Sequence, residues 1–269
     1  MSRIADRFAR CAAQEEGALV AYLMGGDPDL ACGAAALRAV AEGGADVIEL
    51  GVPFSDPMAD GRVIELAGIR ALAAGVHLPE LFALVRDFRR DFDTPLLLMT
   101  YWNPILQYGP ARVCAEAADA GIDGFLISDL PPEEADAWLA AARPAGLDTI
   151  FLLAPTSPDR RIRLVAQQGS GFIYCISRLG VTGARAELPA DLSALVRKIT
   201  ALTDKPVAVG FGLSTPEQVH DVCAIAHGAV VGSALVNVIA DHADADLAPA
   251  VRAFVAQLKQ ATKHTVPKK

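Results

Sequence analysis

The chain has 269 residues, 52% hydrophobic and 21% charged, enough apolar material for a large core and too little charge for a disordered chain. A formal net charge of -8 speaks against a nucleic-acid backbone as partner, since that binding rests on clustered Lys and Arg, though an acidic protein can still hold one phosphate locally. The five cysteines are widely spaced, odd in number and without the close pairs of a zinc site, so they read as reduced thiols rather than as a disulfide framework or a metal centre.

Residues 1–16 mix Arg3, Arg7 and Arg10 with Asp6, Glu15 and Glu16, the pattern of an amphipathic surface helix and not of an export signal, so a cytoplasmic protein is expected. The apolar run ALVAYLM (18–24) opens a series of eight. It continues with DVIELG (46–51), LLLMTYW (96–102), GFLIS (124–128), DTIFLLA (148–154), GFIYCIS (171–177), PVAVGFG (206–212) and GAVVGS (228–233). Unbroken apolarity, rather than alternation, marks strands covered on both faces, as in a parallel sheet. Helix-period segments fall between them at 30–44, 62–75, 78–90, 109–121, 132–146 and 215–226, several opening with Pro and closing at Gly. Such repeats predict an α/β fold, a single (β/α)8 TIM barrel spanning 1–269, with the N-terminal helix additional to the barrel and 263–269 a frayed tail. A doubly wound open sheet is the alternative. The apolar stretch 224–240 contains His227, two glycines and Asn237 and falls short of the roughly 20 clean residues of a membrane span.

Two connections exceed the usual length, 52–60 and 178–190, and both follow strands, where barrel active sites are built. Glu49 stands inside an apolar strand, where burial raises a carboxyl pKa and suits it to exchange a proton near neutrality; an inward Glu held in a structural ion pair is the competing reading. Asp60 precedes a helical segment and by itself reads as an N-cap, while Asp56 beside Pro57 reads as a turn residue. Taken together, Glu49 and Asp60 can divide acid and base duties across one cavity. Gly210, Gly212 and Ser214 follow the seventh strand and Gly232 and Ser233 the eighth, the usual phosphate cradle of a barrel. Thr182 and Gly183 lie on the long sixth connection, suited to a lid. Tyr22, Met99, Tyr174 and Phe211 fall at strand ends, where they serve either as an aromatic-binding wall or as plain core. No histidine has a convincing partner, and neither a P-loop nor a dinucleotide fingerprint occurs; Gly25, Gly26 and Asp27 do not make one.

The run IELGVPFSDPMADG (48–61) closely resembles the signature of the tryptophan synthase alpha chain family. Further matching runs are TYWNPILQYG (100–109), ISDLPPEE (127–134), APTSPDRRI (154–162), GFIYCISRLGVTGAR (171–185), PVAVGFGLSTPEQV (206–219) and VVGSALV (230–236). The resemblance implies a metal-independent carbon-carbon lyase that converts indole-3-glycerol phosphate to indole and glyceraldehyde 3-phosphate. No cofactor is implied for this chain; indole would pass to a separate beta subunit that holds pyridoxal phosphate, in a heterotetramer of two alpha and two beta chains. Position by position, the resemblance makes Glu49 the acid/base, Asp60 the second carboxylate, Tyr174 the tyrosine beside them and Thr182 the lid threonine. It gives Gly183, Phe211, Gly212, Gly232 and Ser233 to the phosphate and Tyr22, Met99, Leu126 and Phe211 to the indole pocket. Pro53 and Asp56, on a loop expected to be exposed, would contact the beta subunit. Departures are MGGDP at 24–28 for a more usual TAGDP, Tyr22 for a common Phe, and Arg62 for an expected Pro, which puts the charge around Asp60 in question. Rival expectations are another phosphosugar lyase or isomerase, or a non-catalytic phosphate-sensing regulatory subunit.

Overall fold

The computed structural model describes residues 2–176, 192–210, 212–243 and 246–263. Its strands are β1 (Ala18–Met24), β2 (Val47–Gly51), β3 (Leu96–Thr100), β4 (Gly124–Ile127), β5 (Asp148–Ile150), β6 (Leu152–Leu153), β7 (Ile173–Ile176), β8 (Val207–Gly210) and β9 (Gly228–Val231). All pair in parallel, in the order β5-β4-β3-β2-β1-β9-β8-β7-β6. The two ends of this sheet, β5 and β6, are consecutive pieces separated only by Phe151, whose carbonyl accepts from Tyr174 N–H at 3.2 Å. The nine strands are therefore the expected eight with the fifth interrupted, and the ring closes through that interrupted strand. An open doubly wound sheet is excluded.

The helices are α1 (Arg3–Ala13), α2 (Leu30–Glu42), α3 (Arg62–Ala73), α4 (Leu78–Phe88), α5 (Trp102–Tyr108), α6 (Pro110–Ala120), α7 (Asp136–Ala142), α8 (Asp159–Gln168), α9 (Leu192–Thr200), α10 (Pro216–Cys223), α11 (Ser233–Asp241) and α12 (Leu247–Ala261). Local chemistry sets several of their ends. Asp29 caps α2 by accepting from Cys32 N–H at 2.9 Å, Thr215 and Gln218 form a reciprocal capping box on α10, and Gly121, at φ 86°, supplies the left-handed residue that stops α6. Trp102, expected at the end of a strand, instead opens α5.

Two apolar layers result. The outer layer packs helices onto the strands, and the inner one fills the barrel with Val20, Val47, Leu97, Leu126, Ile150, Ala208 and Val230. Helix α1 is more than the expected surface helix. Its Ile4, Phe8 and Cys11 are buried in the inner layer, with Phe8 and Phe172 rings 5.3 Å apart, so it floors the barrel at the amino ends of the strands. Buried aspartates fasten that floor. Asp46 accepts from Leu19 N–H and from Lys259 Nζ, both at 2.8 Å, and Asp123 accepts from Leu96 N–H and Arg89, also at 2.8 Å. Among the described residues the longest connection between a strand and a helix, 52–61 between β2 and α3, opens at the carboxyl end. Among the described residues no single helix is long and apolar enough to cross a membrane.

Candidate active site

Glu49 is the third residue of β2, and since Val47 belongs to the inner layer, alternation turns Glu49 inward as well. It is only 1% exposed, it pairs across the sheet with Tyr22 and Leu97, and its Oε1 is buried without a hydrogen-bond partner among the described residues. No salt bridge there involves it, which removes the support for a structural ion pair. Burial, and secondarily the nearby Asp60 charge, push its pKa up from the ordinary 4.5 to about 8.

Asp60 ends the loop that leaves β2. The helix that follows, α3, takes Gly61 as its N-cap and has no side-chain cap bond, so the capping role expected of Asp60 alone is wrong. Its Oδ1 is buried and, among the described residues, unpartnered. Burial raises its pKa, and a hydrogen bond from Tyr101 partly opposes that rise. Tyr101 fixes the loop as well, since its hydroxyl accepts from Ala59 N–H at 2.9 Å. Sequence reasoning missed this tyrosine by reading it as the tail of an apolar strand. The period-two series Leu97, Met99, Tyr101 carried the signal. Arg62 does not alter the charge at Asp60: it turns to Glu65, 3.2 Å away on the exposed side of α3. Arg70, further along α3, forms a two-pronged ion pair with buried Asp27 at 2.7 and 2.8 Å, tying the turn after β1 to the helix behind Asp60.

The departure at 24–28 is absorbed by packing. Met24 lies close to Gly68 of α3, and Gly25 sits so tightly that a Cβ there would approach Leu81 to 2.6 Å and the Gly51 carbonyl to 2.9 Å. Tyr22 is buried, with its hydroxyl over Gly51 and its ring against Gly232; a Cβ on Gly51 would stand 2.3 Å from that hydroxyl. Tyr174, on β7, lies over Gly210 in the same manner, again with 2.3 Å to a notional Cβ, and its pKa is raised by burial and by Glu49. Met99 and Leu126 are cross-strand partners on β3 and β4.

On the far side of the mouth Gly210 pairs with Val230, so Gly212 and Gly232 each lie two residues past a paired position on adjacent strands. Gly212 has φ 80°, with nothing within 4 Å of a notional Cβ. Gly232 is the N-cap of α11, without a side-chain cap, and exposed Ser233 is that helix's first residue. The amides of α11 therefore remain available to an anion, whereas those of α10 are taken by its capping box. Ser214 belongs with the latter: its N–H donates to Gln218 Oε1 at 2.8 Å, so the phosphate role expected of it is not supported. Thr182, Gly183 and Phe211, with the whole segment 178–190, lie outside the described residues.

The loop expected to meet a partner is exposed only in part. Pro53 is buried, contrary to expectation, because the chain is still leaving the barrel there. Exposure begins at Ser55 and Asp56, with Met58 93% exposed. Asp56 accepts from the Ser55 hydroxyl at 2.5 Å.

Comparison with known proteins agrees with this arrangement. A sequence model of the tryptophan synthase alpha chain matches residues 8–265. The tryptophan synthase alpha chain of Geobacter sulfurreducens is 50% identical over 261 residues, covering 97% of this chain and 99% of that one. That of Gluconacetobacter diazotrophicus is 51% identical over 247 residues, covering 91% and 90%. Among solved structures, Mycobacterium tuberculosis tryptophan synthase superimposes with a TM-score of 0.91 at 38% identity, covering 97% of this chain and 98% of that one. The alpha subunit from Legionella pneumophila does so at 0.90 and 37%, with the same coverage. Half-identity sustained from end to end, on the same barrel, admits one conclusion: the chain belongs to the tryptophan synthase alpha chain family.

Proposed function

We propose that Glu49 and Asp60 carry out the family's reaction in this chain, the retro-aldol cleavage of indole-3-glycerol phosphate to indole and glyceraldehyde 3-phosphate. The observation that carries this reading is a buried carboxyl group on Glu49 with its pKa near 8, close to Asp60, each carboxyl group having one buried oxygen without a hydrogen-bond partner among the described residues.

Direct rupture of the bond between indole C3 and the glycerol phosphate would leave a carbanion on C3. Protonation of C3, while a base takes the ring N–H proton, yields an indolenine whose imine nitrogen accepts the electron pair and regains that proton as the bond breaks. Near neutral pH Glu49 is largely protonated and can deliver that proton. Once ionised, it takes the hydroxyl proton from the adjacent carbon as the carbonyl of glyceraldehyde 3-phosphate forms. Asp60 must be charged at the same time to accept from the ring N–H, and the Tyr101 hydrogen bond favours its charged form. One carboxyl group that alternates between acid and base needs a pKa close to working pH, and burial supplies it.

In this reading Tyr174 stands beside Glu49, and Tyr22, Met99, Leu126 and Phe211 enclose the indole. The phosphate is held by amides at Gly212, Gly232 and Ser233, with the α11 dipole behind them and Gly183 and Phe211 completing the cradle. Thr182 closes over the site as a lid. The exposed surface around Asp56 and Met58, with Pro53 as its buried root, meets the beta subunit in a two-alpha, two-beta assembly. Pyridoxal phosphate belongs to that partner, this chain needs neither cofactor nor metal, residues 1–269 act as one barrel domain, and the complex works in the cytoplasm. Incubating the purified protein with indole-3-glycerol phosphate tests the activity: indole and glyceraldehyde 3-phosphate should appear in equal amounts. Isomerisation of the sugar phosphate without indole release would refute it.

A further inference from the structure

Among the described residues five buried side-chain polar atoms have no hydrogen-bond partner: Glu49 Oε1, Asp60 Oδ1, Ser128 Oγ, Asp148 Oδ2 and Gln168 Oε1. Asp148 opens β5 and Gln168 closes α8, so both lie toward the amino ends of the strands, away from the mouth. Glu49 and Asp60 have work in the reaction proposed above. Ser128 is at the carboxyl end with them, and that reaction gives its hydroxyl nothing to do.

The backbone fixes where this hydroxyl points. β4 ends at Ile127, but its ladder runs one residue further, because Ser128 N–H donates to the Thr100 carbonyl at 2.9 Å. Alternation then puts the Ser128 side chain on the same side as Leu126, a member of the inner layer. The next residue, Asp129, accepts from Trp102 N–H at 2.6 Å, so the chain on both sides of the hydroxyl is fastened to the end of β3. Ser128 thus stands one step above the Met99–Leu126 pair. It is four strands round the barrel from β9, whose end holds the phosphate in the proposed reaction. The wall it occupies faces the ring of the substrate, not the glycerol phosphate.

A buried hydroxyl without a partner is costly, and the carbocyclic edge of an unsubstituted indole offers only C–H groups to it. We infer that Ser128 is a specificity-determining residue that reads the carbocyclic edge of the ring, and that this pocket accepts indoles carrying a hydroxyl or amino group on that edge. The inference rests on the substrate class proposed above. It applies to cleavage and to the reverse condensation, in which C3 bonds to the aldehyde carbon, the aldehyde oxygen gains a proton and C3 loses one.

The reverse reaction provides the test. Wild-type protein, Ser128→Ala and Ser128→Thr are each given glyceraldehyde 3-phosphate with indole, and separately with each indole isomer hydroxylated on the carbocyclic ring. With wild type, at least one isomer should react with kcat/KM within about tenfold of indole. Ser128→Ala should lower kcat/KM for that isomer by about three- to tenfold, the worth of one hydrogen bond, while indole itself changes less than about twofold. Ser128→Thr, which keeps the hydroxyl, should restore the selectivity. Condensation of indole but of no hydroxylated isomer would overturn the inference. So would an isomer-to-indole ratio unchanged by Ser128→Ala, the result expected if the hydroxyl only holds a water. Failure with indole itself would instead overturn the proposed function, and the inference with it.

Discussion

Replacing Glu49 by Gln should stabilise this protein at alkaline pH, the reverse of the usual result of altering a buried residue. Glu49 is 1% exposed, and its pKa lies near 8 rather than the ordinary 4.5. A carboxyl pKa raised by folding means that the native state holds the proton more tightly than the unfolded chain does. Its contribution is fully present below about pH 4.5 and is lost as pH rises through about 8. At about 1.4 kcal/mol for each tenfold change in affinity, the whole loss approaches about 5 kcal/mol, of which about 2–3 kcal/mol falls between about pH 6 and about pH 9. Gln keeps the shape of the protonated acid and cannot ionise, so it escapes that loss. The assay is urea unfolding of both proteins across this pH range, followed by far-ultraviolet circular dichroism. Titrating groups that do not interact with Glu49 are common to the two proteins and cancel in the difference, and Tyr22 and Tyr174, which do interact with it, have pKa values raised well above this pH range. The advantage of Gln should grow by about 2–3 kcal/mol from pH 6 to pH 9. A difference that stays flat would show that Glu49 ionises at an ordinary pKa, and the acid role assigned to it would fall.

The same groups set the pH dependence of kcat/KM for indole release, which should be bell-shaped. Activity should fall as pH rises through about 8, where Glu49 loses the proton it must deliver, and as pH drops through the raised pKa of Asp60; a profile still climbing above pH 9 would contradict the assignment. Asp60→Asn should cut turnover by about a hundredfold or more with little loss of stability, because Gly61 and not Asp60 caps α3; a change in melting temperature alone would return Asp60 to a structural role. Gly210→Ala should place a methyl group 2.3 Å from the Tyr174 hydroxyl, displace that ring and cost about 1–3 kcal/mol of stability together with activity, whereas wild-type rates and stability would show that Tyr174 is not confined there.

The strands were legible because a parallel sheet covered on both faces needs apolar residues at every position, and that requirement is written directly in runs such as ALVAYLM and LLLMT. The interruption at Phe151 was not legible, since a lost ladder bond leaves the residue just as apolar as its neighbours. Glu49 could be found because a carboxylate contradicts its surroundings. Asp60 alone pointed to the wrong role: Asp before a helix is ordinary, and only the structure shows that Gly61 holds the cap. Tyr101 and Ser128 lay inside runs read as strands and in step with Met99 and Leu126, but a tyrosine or serine at a strand end does not contradict its surroundings as Glu49 does, so neither stood out. The floor formed by α1 was half legible, because its amphipathic pattern gives the helix but not whether its apolar side meets the barrel from below or from the side. Pro53 shows the same limit in a loop, where a turn signal marks the segment without marking the residue at which it emerges into solvent.

The central claim, that Glu49 moves the proton on which C–C cleavage depends, is tested most directly by single-turnover cleavage of indole-3-glycerol phosphate with Glu49→Gln, at saturating enzyme and with substrate binding measured alongside. Binding should stay within a few fold of wild type, since Gln preserves the shape of the protonated acid. The rate of indole formation should fall by about 10²- to 10⁴-fold, the usual worth of a positioned acid/base. A fall of less than about tenfold, with fold and binding intact, would contradict the account.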